Sequence, residues 1–109
     1  MGMLSPQTLA EMIRLGSKET AQCTRRMFLD TEGKEIFLSP KSCSTHLVYN
    51  ERAMSRVRHT CAMGAAALVA TDPLAFLAEV SDKLQYEIMF KNDSLGWTRE
   101  AIADWLEAL

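Results

Sequence analysis

The sequence has no apolar run near the roughly 20 residues that a membrane-spanning helix requires, so no helical span is expected. The opening "MGMLSPQTLA" lacks the basic and apolar regions of a secretory signal, and Pro6 stands where a myristoylation pattern has Ser or Thr. A cytoplasmic protein is expected. Cysteine is sparse: Cys23, Cys43 and Cys61 are an odd number without CxxC spacing, which argues against a disulfide framework and for reduced thiols. None of the patterns GxSxG, HExxH, GxGxxG or the phosphate-binding P-loop occurs, so the commonest hydrolase, metalloprotease and nucleotide-binding designs are excluded, and no cofactor is expected. Aromatics make up 7% of the residues, and Tyr49 alone stands near the basic cluster, which argues against single-strand nucleic-acid binding.

What is present fits one soluble domain spanning residues 1–109. The net charge of −2 conceals an asymmetry. Residues 1–71 carry nine Lys/Arg against six Asp/Glu, a balance of +3, whereas residues 72–109 carry three against eight, a balance of −5. Such a split either orients a partner or pairs the two parts of one fold. A globally basic nucleic-acid binder is not indicated.

Local signals predict about four helices and a small antiparallel hairpin or sheet, an α+β architecture. "LSPQTLAEMIRLG" has Ser5 as N-cap, Pro6 at the first helical position, a Leu4/Leu9 staple, and a stripe of Leu9, Met12 and Ile13. Gly16 either ends this helix or is a small contact inside a longer one. "CTRRMFLDTEGKEIFLS" reads as a hairpin, pairing Met27 to Leu29 with Ile36 to Leu38 around a turn in which Gly33 suits positive φ. "HLVYN" reads as a further short strand and "ERAMSRVRH" as a helical turn or two. "TCAMGAAALVA" reads as a short buried helix with Thr60 as its cap. Asp72 caps "TDPLAFLAEVSDKLQ", whose Phe76, Leu77, Val80 and Leu84 share one face. "YEIMF" continues that helix or forms a strand, and Lys91-Asn92-Asp93 reads as a turn. Thr98 caps the last helix, with Trp97 and Ile102 as its staple and Ile102, Trp105, Leu106 and Leu109 as its apolar face. If both tryptophans are core, Trp97→Ala and Trp105→Ala should each cost about 3–5 kcal/mol.

Three constellations carry candidate chemistry. Cys43, His46, His59 and Cys61 run in the order C-x2-H…H-x-C; all are metal-ligand types, although the spacing matches no standard finger. Arg52, Arg56 and His59 fall at i, i+4 and i+7, with Arg58 alongside. That set would suit phosphate or a carboxylate-rich partner; the alternative is a solvated or internally paired basic face. Cys61 beside His59 or His46 is a possible nucleophile, but a thiol opening a buried segment is normally inert.

The stretch Asn92 to Leu106, "NDSLGWTREAIADWL", sets exposed polar residues beside an aromatic, yet each of its signals also has a structural explanation. Together with "CAMGAAALVA" (Cys61 to Ala70) it carries a family resemblance. The latter resembles the "CALGA" segment of a family of small bacterial and phage proteins of unknown function, and "NDSLGWTREAIADWLEAL" is similar to that family's closing "ND…GWTRE.IADW". "IRLGSK" fits in the same order, so the overlap covers about half of the chain. The resemblance implies a compact α+β domain with no established activity. Residues 34–60 depart from the family pattern as an insertion, and they hold both histidines and most of the basic cluster. The expected function is that of a non-enzymatic interaction module, binding a protein partner or a second copy of itself through a surface near residues 41–60. A metal- or anion-binding domain is the alternative.

Overall fold

The structure, a computed structural model, describes residues 4–36 and 55–109. Its first helix, α1 (Pro6–Ser17), begins where Ser5 accepts the Thr8 N–H, and it buries Leu9, Ala10, Ile13 and Gly16. Gly16 is therefore inside the helix. A Cβ at Gly16 would collide with the Ala65 backbone, so glycine is what lets α1 lie directly on the next helix.

That helix, α2 (Ala62–Leu68), has Ala62 through Ala67 all buried. It packs against α1 and two later helices and has no solvent face, so small side chains predominate, with Met63 as the one large buried group. Gly64 makes a second close approach, to the Met27 carbonyl. Cys61, not Thr60, caps α2: its Sγ accepts the Gly64 N–H at 3.3 Å. Thr60 belongs to a strand, and its hydroxyl is used elsewhere.

The expected helix from Pro73 through Leu84 is two helices. In α3 (Pro73–Ala78), Asp72 accepts the N–H groups of Leu74 and Ala75. Ser81 then caps a fresh start, α4 (Asp82–Asp93). The Gln85 amide ties the corner by donating to the carbonyls of Leu77 (3.1 Å) and Val80 (2.9 Å). "YEIMF" is thus helical. Lys91, Asn92 and Asp93 form the last turn of α4, not a free-standing turn. In α5 (Arg99–Glu107), Thr98 accepts the Ala101 N–H, and Ile102, Ala103 and Leu106 are buried.

The sheet has three two-residue strands, β1 (Ala21–Gln22), β2 (Phe28–Leu29) and β3 (His59–Thr60), in the order β1-β3-β2. β2 pairs antiparallel with β3, Phe28 opposite Thr60, while β1 pairs parallel, Gln22 opposite Thr60. The sheet is therefore mixed. The parallel pair escapes a reading built on neighbouring segments, because it joins residues nearly forty positions apart. The hairpin turn after β2 is present: Asp30 N–H donates to Lys34 O, Ile36 N–H donates to Phe28 O, and Gly33 has φ +80°. Its expected second run reaches Phe37 and Leu38, which lie outside the described residues, as does "HLVYN". Among the described residues the fold is α+β, with five helices and one small sheet around a single core.

Candidate functional site

The most elaborate polar arrangement is where the sheet meets the α4–α5 corner. The parallel ladder runs through Ala21 N–H to Arg58 O (2.9 Å) and Cys23 N–H to Thr60 O (3.0 Å). Its next rung would join Ala62 N–H to Cys23 O. The Asn92 carboxamide stands in that place. Its Oδ1 accepts from Ala62 N–H at 3.0 Å, and its Nδ2 donates to Cys23 O at 3.1 Å. Gln22 Nε2 donates to the same Oδ1 at 3.0 Å, and the second amide hydrogen goes to Asp93 Oδ1 at 2.8 Å. Two lone pairs and two N–H bonds are all used, on a residue only 1% exposed.

Arg99 fills the neighbouring position. Its Nη1 donates to the hydroxyls of Thr20 and Thr60, both at 2.9 Å, and its Nη2 donates to Thr20 O at 2.8 Å. The Thr20 hydroxyl in turn donates to Gly16 O at 3.0 Å. The guanidinium has no carboxylate among these partners; the Thr20 hydroxyl links it to the carbonyl end of α1, where the helix dipole is negative. Burial draws its pKa below the ordinary value, with the Cys23 and Cys61 side chains acting the other way. Gln22 completes the joint by donating to Trp97 O at 2.9 Å and accepting the Arg99 N–H at 3.3 Å. Asp93 Oδ1 accepts the Arg25 N–H at 2.8 Å, which holds Arg25 at φ +64°. Gly96, at φ +69°, turns the chain toward Thr98. From Asn92 to Arg99 the stretch is a joint.

The candidate anion residues are not gathered on a helix. Ser55 and Arg56 form a turn, and the chain is extended through the strand at His59, so helical spacing does not apply from Arg56 to His59. Arg56 and Arg58 are exposed, and Arg58 Nη1 donates back to the carbonyls of Ser55 and Val57. Arg52 lies outside the described residues. Of the candidate metal ligands, Cys43 and His46 also lie outside them. His59 is partly exposed, with a buried Nδ1 that has no hydrogen-bond partner among the described residues. Burial pushes the Cys61 thiol up to about 11, and its sulfur is already engaged as a cap. A protonated, enclosed thiol is a poor nucleophile. Among the described residues no group of three or more His, Cys, Asp or Glu is placed to hold a metal ion.

The charge asymmetry has an internal use. Arg14 on α1 pairs with Glu100 (2.8 Å), Asp104 (2.6 Å) and Glu107 (3.0 Å) on α5. Trp97 and Trp105 are half-buried, so the core on α5 is carried by Ile102, Ala103 and Leu106. Their rings flank the Lys91 ammonium, at 5.2 Å and 4.1 Å from the centroids.

Models of known families, curated proteins and solved structures give no match to this chain. The two segments that carry the resemblance are accounted for by packing and internal hydrogen bonds. Among the described residues, α4 leaves an apolar face exposed. α4 buries only Ile88 and Asn92, while Tyr86 is 67% exposed, Met89 45% and Phe90 42%, with Leu95 at 51% just beyond the helix. The Tyr86 and Phe90 rings stack, centroids 6.2 Å apart and planes 15° from parallel. Sequence reading left "YEIMF" open between a continued helix and a strand and assigned it no face. The available signal was the placing of Tyr86, Met89 and Phe90 at i, i+3 and i+4.

Proposed function

We propose that this chain is a small non-enzymatic interaction module whose contact surface is the outer face of α4. The observation that carries the reading is the stacked, exposed pair Tyr86 and Phe90, with Met89 beside it, in a fold whose other large apolar groups mostly close one core. A contiguous exposed patch of this kind commonly marks an interface, and aromatic and methionine side chains are enriched at the centres of interfaces. This moves the expected contact away from residues 41–60. The kinship with small bacterial and phage proteins is part of the same proposal, supported by the two quoted segments. No helix of the described residues is long and apolar enough to cross a membrane.

The test compares the wild-type chain with Tyr86→Ser/Phe90→Ser. Sedimentation of each alone establishes whether the partner is a second copy, and quantitative affinity capture from the native host covers other proteins. Self-association or a specific captured protein that the double variant loses supports the reading; identical behaviour of the two chains removes α4 as the contact.

A second reading, metal or anion binding through Cys43, His46, His59 and Cys61 or through Arg52, Arg56 and Arg58, is favoured by one observation, the buried Nδ1 of His59, which has no hydrogen-bond partner among the described residues. Native mass spectrometry on protein purified without chelator decides it: an added zinc mass, lost on acidification, would support the metal site, and a bare mass would retire it.

A further inference from the structure

Around the flank of α4 that faces α5, Lys91 is held in an unusual way. Its ammonium lies 4.1 Å from the Trp105 ring centroid and 5.2 Å from that of Trp97, and 3.2 Å from Glu87 Oε1. Only 12% of the side chain is exposed. The face of an indole is electronegative and attracts a cation, and the carboxylate balances the charge. These three side chains thus have the chemistry of a cation receptor, and the helix itself supplies the occupant.

Trp105 lines two hollows. One hollow, about 440 Å³, is lined by Ser81, Lys83, Leu84, Glu87 and Leu109 together with Lys91 and Trp105. The other, about 590 Å³ and more open, lies over Trp97, Thr98, Ala101, Asp104 and Trp105. The pairing that retains Lys91, an i,i+4 contact with a half-exposed carboxylate, is of a weak kind. A primary ammonium is also strongly hydrated, so it gives up much on entering a cage. A methylated ammonium has the same charge behind an apolar cover and is the better guest between two indoles.

We propose that Trp97, Trp105 and Glu87 form a receptor for a methylated ammonium group, a place that Lys91 fills in the absence of the guest. The site is separate from the Tyr86/Phe90 face and stands whether or not that face binds a partner. Such a group comes either from a small quaternary amine or from a methylated lysine on a protein.

Trp97 and Trp105 are the two tryptophans of the chain, so their emission reports this site. Tetramethylammonium chloride is titrated against sodium chloride at constant ionic strength in the wild type, Lys91→Gln and Lys91→Met. The expected result is a saturable change with tetramethylammonium alone, at least about tenfold tighter once Lys91 no longer competes at its high local concentration. Tighter binding in both Lys91 variants is the result expected when the place between the indoles is vacated. Trp105→Phe in the Lys91→Met background should weaken the binding again. Lys91→Met keeps the apolar stem if Lys91→Gln fails to fold, which far-UV circular dichroism shows.

A trimethyllysine peptide, run beside its unmodified form, distinguishes the sources. Tighter binding of the methylated peptide than of tetramethylammonium points to a protein guest, and equal binding points to a small cation. The absence of any saturable response in a folded Lys91 variant overturns the proposal.

Discussion

Two neighbouring surfaces of this molecule invert the usual placement of side chains. At the sheet–corner joint, Asn92 and Arg99 are buried at 1% and 9% exposure; on the outer side of α4, one to two turns away, Tyr86 and Phe90 are open at 67% and 42%. Buried polar groups and exposed apolar groups are the informative kinds. Yet they differ in what they leave over. Every donor and acceptor of the Asn92 amide is used inside the chain, so the fold accounts for the residue completely. The aromatic face of α4 has its own internal stack but no cover among the described residues. A polar cluster that looks site-like can be pure architecture, and the functional question passes to the plainer surface beside it.

The largest effect should come from breaking the joint. Asn92→Leu leaves the Ala62 N–H and the Cys23 carbonyl without their partner, at about 1–3 kcal/mol for each buried group, so a loss of about 3 kcal/mol is expected in urea unfolding. A loss below about 1 kcal/mol would place the joint on a par with ordinary surface. The next effect is alkaline. The Cys61 thiol ionises at about 11 in the fold against an ordinary 9.0. The unfolded chain releases its proton first, so the stability contribution is complete below pH 9 and drains as pH rises toward 11. On this shift about 2–3 kcal/mol should disappear over that window. Cys61→Ser retains a capping oxygen without the titration and should flatten the difference; an unchanged slope would assign it to other groups.

The tryptophans stand between the two surfaces. Being half-buried against Lys91, Trp97→Ala and Trp105→Ala should each cost about 1–2 kcal/mol in thermal or chemical unfolding. Losses near the 3–5 kcal/mol of a full core ring would show that they belong with the joint. The smallest stability effect belongs to the α4 face: Tyr86→Ser and Phe90→Ser should each stay within about 0.5 kcal/mol of the parent while altering association. A large destabilisation there would mean that the face supports the fold and would erase the contrast.

Signals confined to one turn of chain were legible in the sequence. Ser5, Asp72 and Thr98 show their capping role through their own identity and the Pro or apolar residues beside them, and Gly33 through the Asp30 turn. The small-residue helix from Ala62 was readable as buried because little else can follow from so many alanines. What escaped depends on distant partners. Asn92 in a Lys-Asn-Asp run looks like turn chemistry until a strand seventy residues earlier comes to lie against it. Thr60 looked like a cap because its bond to Arg99 spans 39 positions, and Cys61 took the cap instead. The break at Ser81 was local, but the unbroken stripe of Phe76, Val80 and Leu84 concealed it. For the candidate site the same limit applied in reverse: the Arg spacing was helical on paper but its turn and strand were not, whereas the spacing of Tyr86, Met89 and Phe90 marked a face whose exposure emerged only once the opposite side was seen to pack.

The stand-in rung at Asn92 also has a bearing on how the protein is made. It ties together residues 23, 62 and 92, and α1 rests along α5. Contacts of such wide sequence separation form slowly, after much chain must be brought together. During synthesis α1, β1 and the alanine helix leave the ribosome before the segment that encloses them. They remain uncovered until Arg99 and α5 follow. A translation product stopped short of Asn92 would therefore be no smaller version of this domain, but an open chain bound for aggregation or proteolysis.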